Sequence, residues 1–409
     1  MAQTLKFGSG TWANKKGSTL AYNDENENYK PLPFNFERDS IATRVNKEGL
    51  IEVVGKDIPR IDYTDSADGV LLLENSATNL ITYSEDFSQS VWQKNSVGSA
   101  SAPIIASNFA VSPDGTQNAT RVQFNISGST SSDRSSLESV FALDGSSSYT
   151  LSFYIKSNTG VNQNLSVWLN SVYGNNITVT NEWVRVEQTF SSNSTFNRGF
   201  GLAASGNVQQ SVDVLIFGFQ LEQNSFSTSY IPTSGSTVQR ASETANGSGN
   251  SEVFNDSEGV LFADIAGLVN DNNFKAISVS ESNVDNRITL SLYQGSLFAY
   301  IADGGVGQFN VSQSVGSVLE FHKTAIKYKA NDCAFWIDGF EVAINTSPTT
   351  MPSGLKELAF DKGNGADDFY GKTKELGYYD TILTDEELEY ITSYRSLNEL
   401  VTELNLNTL

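Results

Sequence analysis

The chain has very few of the residues on which most catalytic, redox and structural metal sites depend. Its 409 residues include one cysteine, Cys333, and one histidine, His322. A single cysteine excludes an intrachain disulfide, and one residue of each type cannot build a Cys/His zinc cluster. A Ser-His-Asp mechanism would depend entirely on His322, which has no nucleophile motif beside it. We therefore predict no enzymatic activity, folding in a reducing cytoplasm, and a buried, inert Cys333.

Basic clusters and long apolar runs are missing as well. The chain carries 47 acidic and 26 basic residues, a formal net charge of −21. The electrostatic field of this net negative charge repels phosphate backbones and anionic membranes, so we expect no nucleic-acid binding. No apolar run is long enough to cross a bilayer, and Met1–Gly10 lacks the basic start and apolar stretch of a signal peptide. We expect no membrane insertion, and a surface suited to neutral polysaccharides or divalent cations.

What the sequence does contain favours strands. Charged residues are only 18% of the chain, and Ser, Thr, Asn and Gly replace them. Apolar and polar residues alternate in Tyr149–Lys156 and Arg287–Tyr293, as in half-buried strands. The run Thr43–Val54 resembles a hairpin, with Gly49 where the turn needs a positive φ. We predict an all-β protein with two β-sandwich (jelly-roll) domains in tandem.

Composition changes along the chain divide it into five predicted segments. A β-rich attachment segment (1–72) precedes a jelly roll (73–234). Residues 235–258 are poor in apolar side chains and are interpreted as a linker. A second sandwich follows (259–397), and then a short tail (398–409).

One short helix is predicted near the end of the second sandwich. Thr384 and Glu387 stand three residues apart, the spacing of a reciprocal capping box. Leu388 and Ile391 follow at helical spacing. Asp385 also favours the positive end of the helix dipole, so capping explains these acids better than a catalytic cluster does.

Two regions of the sequence resemble known modules. The first region is a series of short motifs: Arg38–Asn46, Gly49–Glu52, Pro59–Tyr63, Leu71–Glu74, Thr78–Leu80, Tyr83–Phe87, Trp92, Phe219–Glu222 and Thr228–Thr233. This series resembles a module of tail-fibre-like and other structural proteins of tailed bacteriophages, and it runs into a carbohydrate-binding-module-like jelly roll. The second region, 259–397, contains Trp336–Gly339 and Lys374–Tyr379. Through these it resembles a laminin-G-like, concanavalin-A-like lectin sandwich.

The resemblance implies a bacteriophage virion structural protein, a fibre or surface appendage, made in the host cytoplasm and displayed on the virion surface. Its lectin-like domains are expected to adhere to host or environmental glycans. Other virion proteins would bind the N-terminal segment, and a homo-oligomer, by default a trimer, is expected. One alternative is a purely architectural capsid or tail decoration protein. The other is a polysaccharide depolymerase, which needs two carboxylates, but no strand has the alternating acids of such a cleft.

Sugar binding calls for exposed aromatic rings beside polar groups. The candidate glycan-binding residues are Trp168, Tyr173, Tyr378 and Tyr379. Tyr173 lies in a turn-like stretch and is the best candidate for exposure. Trp168 and Trp336 each alternate with other apolar residues. This pattern favours a position in the core over an exposed sugar-binding position.

The resemblance also allows a structural calcium ion, although no cofactor is required. Calcium takes several oxygen ligands, carboxylates and backbone carbonyls among them. The candidate ligands are Glu85, Asp86 and Glu222 in the first sandwich and Asp361, Asp367 and Asp368 in the second. Acids solvated in turns are the alternative explanation for each.

Overall fold

The structure is a computed structural model that describes residues 4–10, 12–19, 32–127, 133–140, 143–169, 172–191, 200–205, 210–347, 350–394, 396 and 401. The elements of this part of the chain are 31 strands and one helix, which confirms the all-β prediction. None of its helical segments is long and apolar enough to span a membrane.

The elements follow one another along the chain with short connections. Residues 4–80 contain β1 (Leu5–Gly8), β2 (Asn14–Lys15), β3 (Ser18–Thr19), β4 (Phe34–Glu37), β5 (Ala42–Val45), β6 (Ile51–Val54), β7 (Arg60–Asp62), β8 (Val70–Leu73) and β9 (Ala77–Asn79). Residues 92–240 contain β10 (Trp92–Val97), β11 (Ala100–Ala110), β12 (Ala119–Ile126), β13 (Arg134–Ser139), β14 (Ser148–Ser157), β15 (Gln163–Leu169), β16 (Val172–Val179), β17 (Val184–Ser191), β18 (Phe200–Ser205), β19 (Ser211–Glu222) and β20 (Val238–Arg240).

The remaining elements belong to the C-terminal part of the chain. They are β21 (Thr244–Asn246), β22 (Glu258–Gly267), β23 (Lys275–Ser280), β24 (Arg287–Tyr293), β25 (Ser296–Asp303), β26 (Val306–Ser314), β27 (His322–Lys329), β28 (Cys333–Ile337), β29 (Phe340–Asn345), β30 (Glu357–Ala359), β31 (Gly371–Tyr379) and α1 (Asp385–Thr392).

The chain folds into two units. Unit 1 consists of Met1–Ile41, Val54–Asn75 and Ala241–Leu409, and unit 2 of Ala42–Val53 and Ser76–Arg240. The main body of unit 1 is a sandwich. An eight-stranded sheet, in the order β29-β28-β27-β22-β31-β8-β7 with β1 also paired to β31, forms one layer, and a five-stranded sheet, β26-β25-β24-β23-β30, forms the other. Apolar side chains from both sheets make one continuous buried cluster, as in a β-sandwich.

Strands β1, β7 and β8 do not form a segment separate from the second sandwich. Strand β1 pairs antiparallel with β31, Leu5 opposite Tyr378, and β8 pairs with the same strand, Gly371 opposite Leu73. Strands of three or four residues cannot bury a core of their own, so these three complete the large sheet instead. The predicted boundary at residue 72 therefore does not separate them from the second sandwich. Their partner strand β31 lies about 300 to 370 residues further along the sequence, where local patterns carry no information.

The predicted linker also contributes to folded structure. Strand β20 pairs with β9, and β21 pairs with β4, Ala245 opposite Phe36. Ala245 and Phe254 are buried in the main core of unit 1. The low apolar content of 235–258 indicated a flexible connection, but a few well-placed apolar side chains are enough to anchor it.

A buried ionic network lies in unit 1 among residues that the sequence places far apart. Arg38 Nη1 lies 2.6 Å from Glu243 Oε1, and Arg60 binds Glu243 through both Nε, at 2.9 Å, and Nη2. Arg60 Nη1 also lies 2.8 Å from Glu74 Oε2. All four side chains are almost fully buried. Burial opposes the charged form of Arg60, yet the charges of Glu243 and Glu74 outweigh it and raise its pKa.

Unit 2 is a second sandwich of two five-stranded sheets. Their orders are β10-β13-β18-β15-β16 and β11-β12-β19-β14-β17. Phe153 and Phe219 stack at 4.4 Å in the core between them. Trp92 is buried in the same core, and its indole N–H donates to the Tyr83 carbonyl oxygen at 2.9 Å.

The predicted helix is confirmed with its cap. Glu387 N–H donates to Thr384 Oγ1 at 3.3 Å, and Thr384 N–H donates to Glu387 Oε2 at 2.9 Å. Leu388 and Ile391 pack with Trp336 in a second apolar cluster. The helix therefore covers part of the eight-stranded sheet, and both faces of that sheet carry buried side chains.

The one histidine is a buried structural residue of unit 1. His322 Nδ1 lies 2.6 Å from Asp338 Oδ2, and Nε2 lies 3.0 Å from the Ser317 carbonyl oxygen. Burial disfavours the charged ring, but the hydrogen bond to Asp338 and the charge of that carboxylate outweigh burial and raise the pKa of His322 above 6.5.

This raised pKa predicts a pH-dependent stability. A group with a folded-state pKa above its unfolded value stabilises the protein fully below the unfolded pKa, about 6.5, and this contribution is lost as the pH rises through the folded pKa. We expect the melting temperature of unit 1 to fall as the pH rises above about 6.5, measured by scanning calorimetry. The variant Asp338→Asn should flatten this dependence, whereas an unchanged slope would show that another group causes it.

Candidate functional site

A groove of about 420 Å³ lies on the five-stranded sheet of unit 1, on the face turned away from the core. Strand alternation places its side chains there. Ile288, Leu290 and Leu292 of β24 are buried in the core, so the residues between them project to the other face. The residues that line the groove are Phe274, Ala276, Arg287, Thr289, Ser291, Phe298, Tyr300, Asn310, Lys362 and Asp367.

The floor of the groove is built from cross-strand pairs. Thr289 of β24 stands opposite Tyr300 of β25, and Tyr300 stands opposite Asn310 of β26. Ser291 pairs in the same way with Phe298. Neighbouring side chains on one face of a sheet lie within contact distance, so each aromatic ring has a hydroxyl or amide group beside it. Aromatic faces next to hydrogen-bonding groups are the combination that sugar rings require.

Aromatic side chains cluster at one end of the groove. Phe274 stacks on Tyr293 with ring centroids 4.1 Å apart and meets Phe298 edge-on at 5.4 Å. Phe274 is 39% exposed although it is a large apolar side chain. Mutual packing holds these rings in place, so little side-chain entropy is lost when a ligand contacts them.

Tyr300 occupies the middle of the floor, and two neighbours define its position. The Arg287 guanidinium carbon lies 4.8 Å from the centroid of its ring, a cation–π contact. On β26, a Cβ atom at Gly307 would lie 3.2 Å from both Cε2 and the hydroxyl of Tyr300. A larger residue at Gly307 would displace the ring, so this glycine preserves the shape of the groove.

The edge of the groove is formed by the loop of residues 361–368. The Asp367 carbonyl oxygen accepts a 2.9 Å hydrogen bond from Ala276 N–H, which attaches the loop to β23. Lys362 Nζ lies 2.7 Å from Asp367 Oδ2. The loop therefore presents a neutralised ion pair at this edge.

Two polar atoms of groove residues are unsatisfied. Thr289 Oγ1 and Arg287 Nε are buried and have no hydrogen-bond partner in the described part of the chain. A buried polar atom without a partner costs about 1–3 kcal/mol. A site that receives water or a ligand is one reason for such atoms, although they also occur in other parts of the described chain.

A second cavity, of about 580 Å³, lies in unit 2. It contains two of the predicted calcium ligands, Glu85 and Asp86, together with Asn118. Tyr230 Oη donates to Glu85 Oε1 at 2.8 Å, and burial raises the pKa of Glu85 despite that bond. Hydrogen bonds from Ser88 and Gln89 instead lower the pKa of Asp86.

The predicted calcium ligands do not converge in either unit. Glu222 does not line the cavity, because its carboxylate accepts hydrogen bonds from Thr228 N–H, Thr228 Oγ1 and Gln220 Nε2. Asp361 accepts from Gly363 N–H, and Tyr370 Oη donates to Asp368 at 3.0 Å. Among the described residues no group of three acidic, histidine or cysteine side chains is placed to hold a metal ion.

This arrangement leads to a calcium prediction. Because protein donors already occupy the carboxylates of Glu222, Asp361 and Asp368, excess calcium should leave the melting temperature of the full chain within about 1 °C of its value in EDTA, since a ligand that does not bind the native state does not stabilise it. Differential scanning fluorimetry measures this directly. A rise that saturates with calcium concentration would show that a site forms on binding.

Two of the predicted sugar-stacking residues are buried and cannot stack on a sugar. Tyr378 is fully buried in the main core, where Asn255 N–H donates to its hydroxyl at 2.8 Å. Tyr379 lies in the cluster beneath α1. Strand β31 alternates as expected, but the sandwich core covers one face and the helix side covers the other. The sequence pattern showed the alternation along β31. It did not show that the helix side also buries the second face of this strand.

The other two predicted residues are placed only by their backbones. Trp168 of β15 and Tyr173 of β16 are cross-strand partners, so Tyr173 lies in a strand and not in a turn. Their side chains fall outside the part of the chain that the structure describes. The predicted core position of Trp336 is confirmed, since it is 6% exposed.

The chain matches no protein-family model. No curated protein matches it either. Among solved structures, the carbohydrate-binding module CBM40 of the Ruminococcus gnavus IT-sialidase, bound to α2,3-sialyllactose, is 15% identical with a TM-score of 0.30. The match covers 34% of this chain and 84% of that one.

Two further solved structures are similar at the same low level. The tandem CBM22 domains of Paenibacillus barcinonensis Xyn10C are 12% identical, with a TM-score of 0.26 and coverage of 76% and 100%. Domains LG4-5 of the mouse laminin α1 chain are 11% identical, with a TM-score of 0.24 and coverage of 61% and 86%. At these values the similarities indicate nothing about the ligand or the activity of this chain.

The sequence-based prediction did not include the groove residues, because it relied on tryptophans and tyrosines. The signal was nevertheless present in Arg287–Tyr293, where Arg287, Thr289, Ser291 and Tyr293 occupy every second position. That periodicity indicates one polar face. It does not reveal that Phe298 and Tyr300 of the next strand line the same face, which depends on strand register.

Proposed function

We propose that this chain is a glycan-binding protein of the virion surface of a bacteriophage, and that the groove of unit 1 is its binding site. The observation that supports this is the pairing of Phe298 and Tyr300 with Ser291, Thr289 and Asn310 across three strands. Rigid aromatic faces flanked by hydroxyl and amide groups suit a sugar ring, which has an apolar face and a rim of hydroxyls. The virion setting rests on the sequence resemblance described above.

The direct test is a glycan array probed with the full chain, with and without a groove-filling substitution, Ala276→Trp. Binding of the native chain that the substitution abolishes supports the proposal. The absence of any bound glycan at high protein concentration would leave the architectural alternative, a capsid or tail decoration protein.

Attachment to other virion proteins through residues 1–72, and trimeric assembly, are part of the proposal. Deletion of that segment is a poor test of attachment, because it removes β1, β7 and β8 from the eight-stranded sheet. Labelling the intact chain on the particle locates it without this side effect. Sedimentation analysis of the purified full chain tests the trimer.

Hydrolysis is the competing function, and the cavity of unit 2 is where it would arise. A carboxyl group with a raised pKa, Glu85, lies there with one whose pKa is lowered, Asp86, and glycosidases use such pairs. We propose binding without catalysis, and therefore no release of oligosaccharides from host polysaccharide in a reducing-end assay. Release that Glu85→Gln abolishes would establish a depolymerase.

A further inference from the structure

The charge inside the groove of unit 1 has the opposite sign to that of the whole chain. The chain carries a formal net charge of −21. The charged residues that line the groove are two cations, Arg287 and Lys362, and one anion, Asp367. Because Lys362 and Asp367 neutralise each other, the groove carries about one net positive charge, located on Arg287.

The Arg287 guanidinium is held in place by its neighbours. Its Nη1 donates to the Val284 carbonyl oxygen, and its guanidinium carbon lies 4.8 Å from the centroid of the Tyr300 ring. The charges of Asp285 and Asp367 act on it, but among the described residues no carboxylate forms an ion pair with it. Other buried or half-buried arginines of the chain differ in this respect: Arg60 pairs with two glutamates, and Arg121 pairs with Asp213.

We infer that the groove selects glycans that carry a carboxylate, and that Arg287 is the residue that binds it. This inference rests on the proposed glycan binding. A guanidinium presents a planar fork of donors that matches a carboxylate. Tyr300, stacked against Arg287, would contact the ring of the same sugar.

The negative charge of the rest of the chain does not prevent such binding. Exposed charges separated by more than about 8 Å are largely screened at physiological ionic strength. A single sugar carboxylate beside Arg287 therefore interacts mainly with the groove. Densely sulfated glycans would experience more of the surrounding acidic surface, so the carboxylate is the favoured anion.

The test compares acidic glycans with their neutral counterparts, using the full chain. The probes are an oligogalacturonate and a sialyl-oligosaccharide, each also with its carboxyl groups reduced to primary alcohols. Affinities are measured by calorimetry for the native chain, Arg287→Gln and Arg287→Lys. The native chain should bind at least one acidic probe about 10- to 100-fold more tightly than its reduced form.

Arg287→Gln should bring this ratio close to one, because it removes the charge that distinguishes the two probes. The melting temperature of the variant reports whether it is folded. If Arg287→Gln does not fold, Arg287→Lys decides, because it keeps the charge and loses the planar fork, and the ratio should fall severalfold.

The outcomes separate this inference from the proposed function. Equal binding of acidic and reduced probes, with both weakened by Tyr300→Ala, would overturn the inference and leave glycan binding intact. A ratio that Arg287→Gln does not change, or a preference for a sulfated oligosaccharide, would also overturn it. Failure to bind any glycan on the array would remove the proposed function itself.

Discussion

Replacing Glu243 by alanine should lower the free energy of unfolding of unit 1 by about 3–5 kcal/mol. The side chain of Glu243 is fully buried and binds both Arg38 and Arg60. Its carboxylate also accepts a 2.9 Å hydrogen bond from Glu74 N–H. Without Glu243, the two buried guanidinium groups of the network retain one of its two carboxylates, that of Glu74, which pairs with Arg60. An uncompensated buried charge is among the costliest defects in a protein.

Unfolding in urea, monitored by amide hydrogen exchange at the strands of unit 1, measures this loss, because hydrogen exchange reports the stability of each unit separately. Glu258→Ala is the matched control in the same unit. Glu258 pairs with Lys329, and both side chains are partly exposed, so its removal should cost about 1 kcal/mol or less. If the two variants lose similar stability, the ionic network does not have the structural role assigned to it.

Tyr300→Ala should weaken glycan binding by about 10- to 100-fold, equivalent to about 1.4–2.8 kcal/mol. The ring forms the middle of the groove floor and supports Arg287. Its removal takes away the stacking surface and frees the guanidinium to adopt other positions. Phe298→Ala should have a similar but smaller effect, because Phe274 and Tyr293 remain beside it.

Phe340→Ala is the control for these aromatic substitutions. Phe340 is 73% exposed on β29, an edge strand of the eight-stranded sheet. It is therefore an exposed aromatic residue of the same unit that does not line the groove. Its removal should leave the affinity unchanged, and isothermal titration with the best array ligand provides the comparison. An equal loss in Phe340→Ala and Tyr300→Ala would place the binding surface elsewhere.

The buried ionic network gives a structural role to charged residues of the series that resembles phage structural proteins. Arg38, Arg60 and Glu74 all belong to that series, and in the structure they surround Glu243. Their arrangement explains why these charged residues accompany apolar runs such as Val70–Leu73, which is fully buried in β8. In this chain the series serves to fold unit 1, and any attachment role would be additional to it.

The same series also contributes to unit 2 through polar contacts with the backbone. Asn79 Nδ2 donates to the carbonyl oxygens of Phe219 and Ile231, at 3.1 and 2.8 Å. Gln220 Oε1 accepts from Ile231 N–H at 2.6 Å. Buried amides that satisfy backbone groups are costly to replace, so these two residues of the series have a structural role.

Composition and periodicity by themselves determined much of this protein. Turn-rich composition and two-residue alternation predicted an all-β fold of sandwiches, because these patterns report local backbone preference and one-sided burial. Spacing predicted the capped helix at Thr384 in the same way. A single cysteine and a single histidine are too few for an intrachain disulfide or a Cys/His zinc cluster within this chain. Both residues are buried in the structure.

Only the tertiary structure decided which segments belong together and which faces are covered. Strand β1 joins β31, Glu243 joins Arg38 and Arg60, and helix α1 covers the face that holds Tyr379. The groove likewise depends on the register that places Tyr300 beside Arg287 and Thr289. Pairing between distant strands is set by the sum of many contacts across the whole fold, so no local pattern encodes it. This is why Tyr378 and Tyr379 were wrong as sugar-binding residues although the predicted fold class was right.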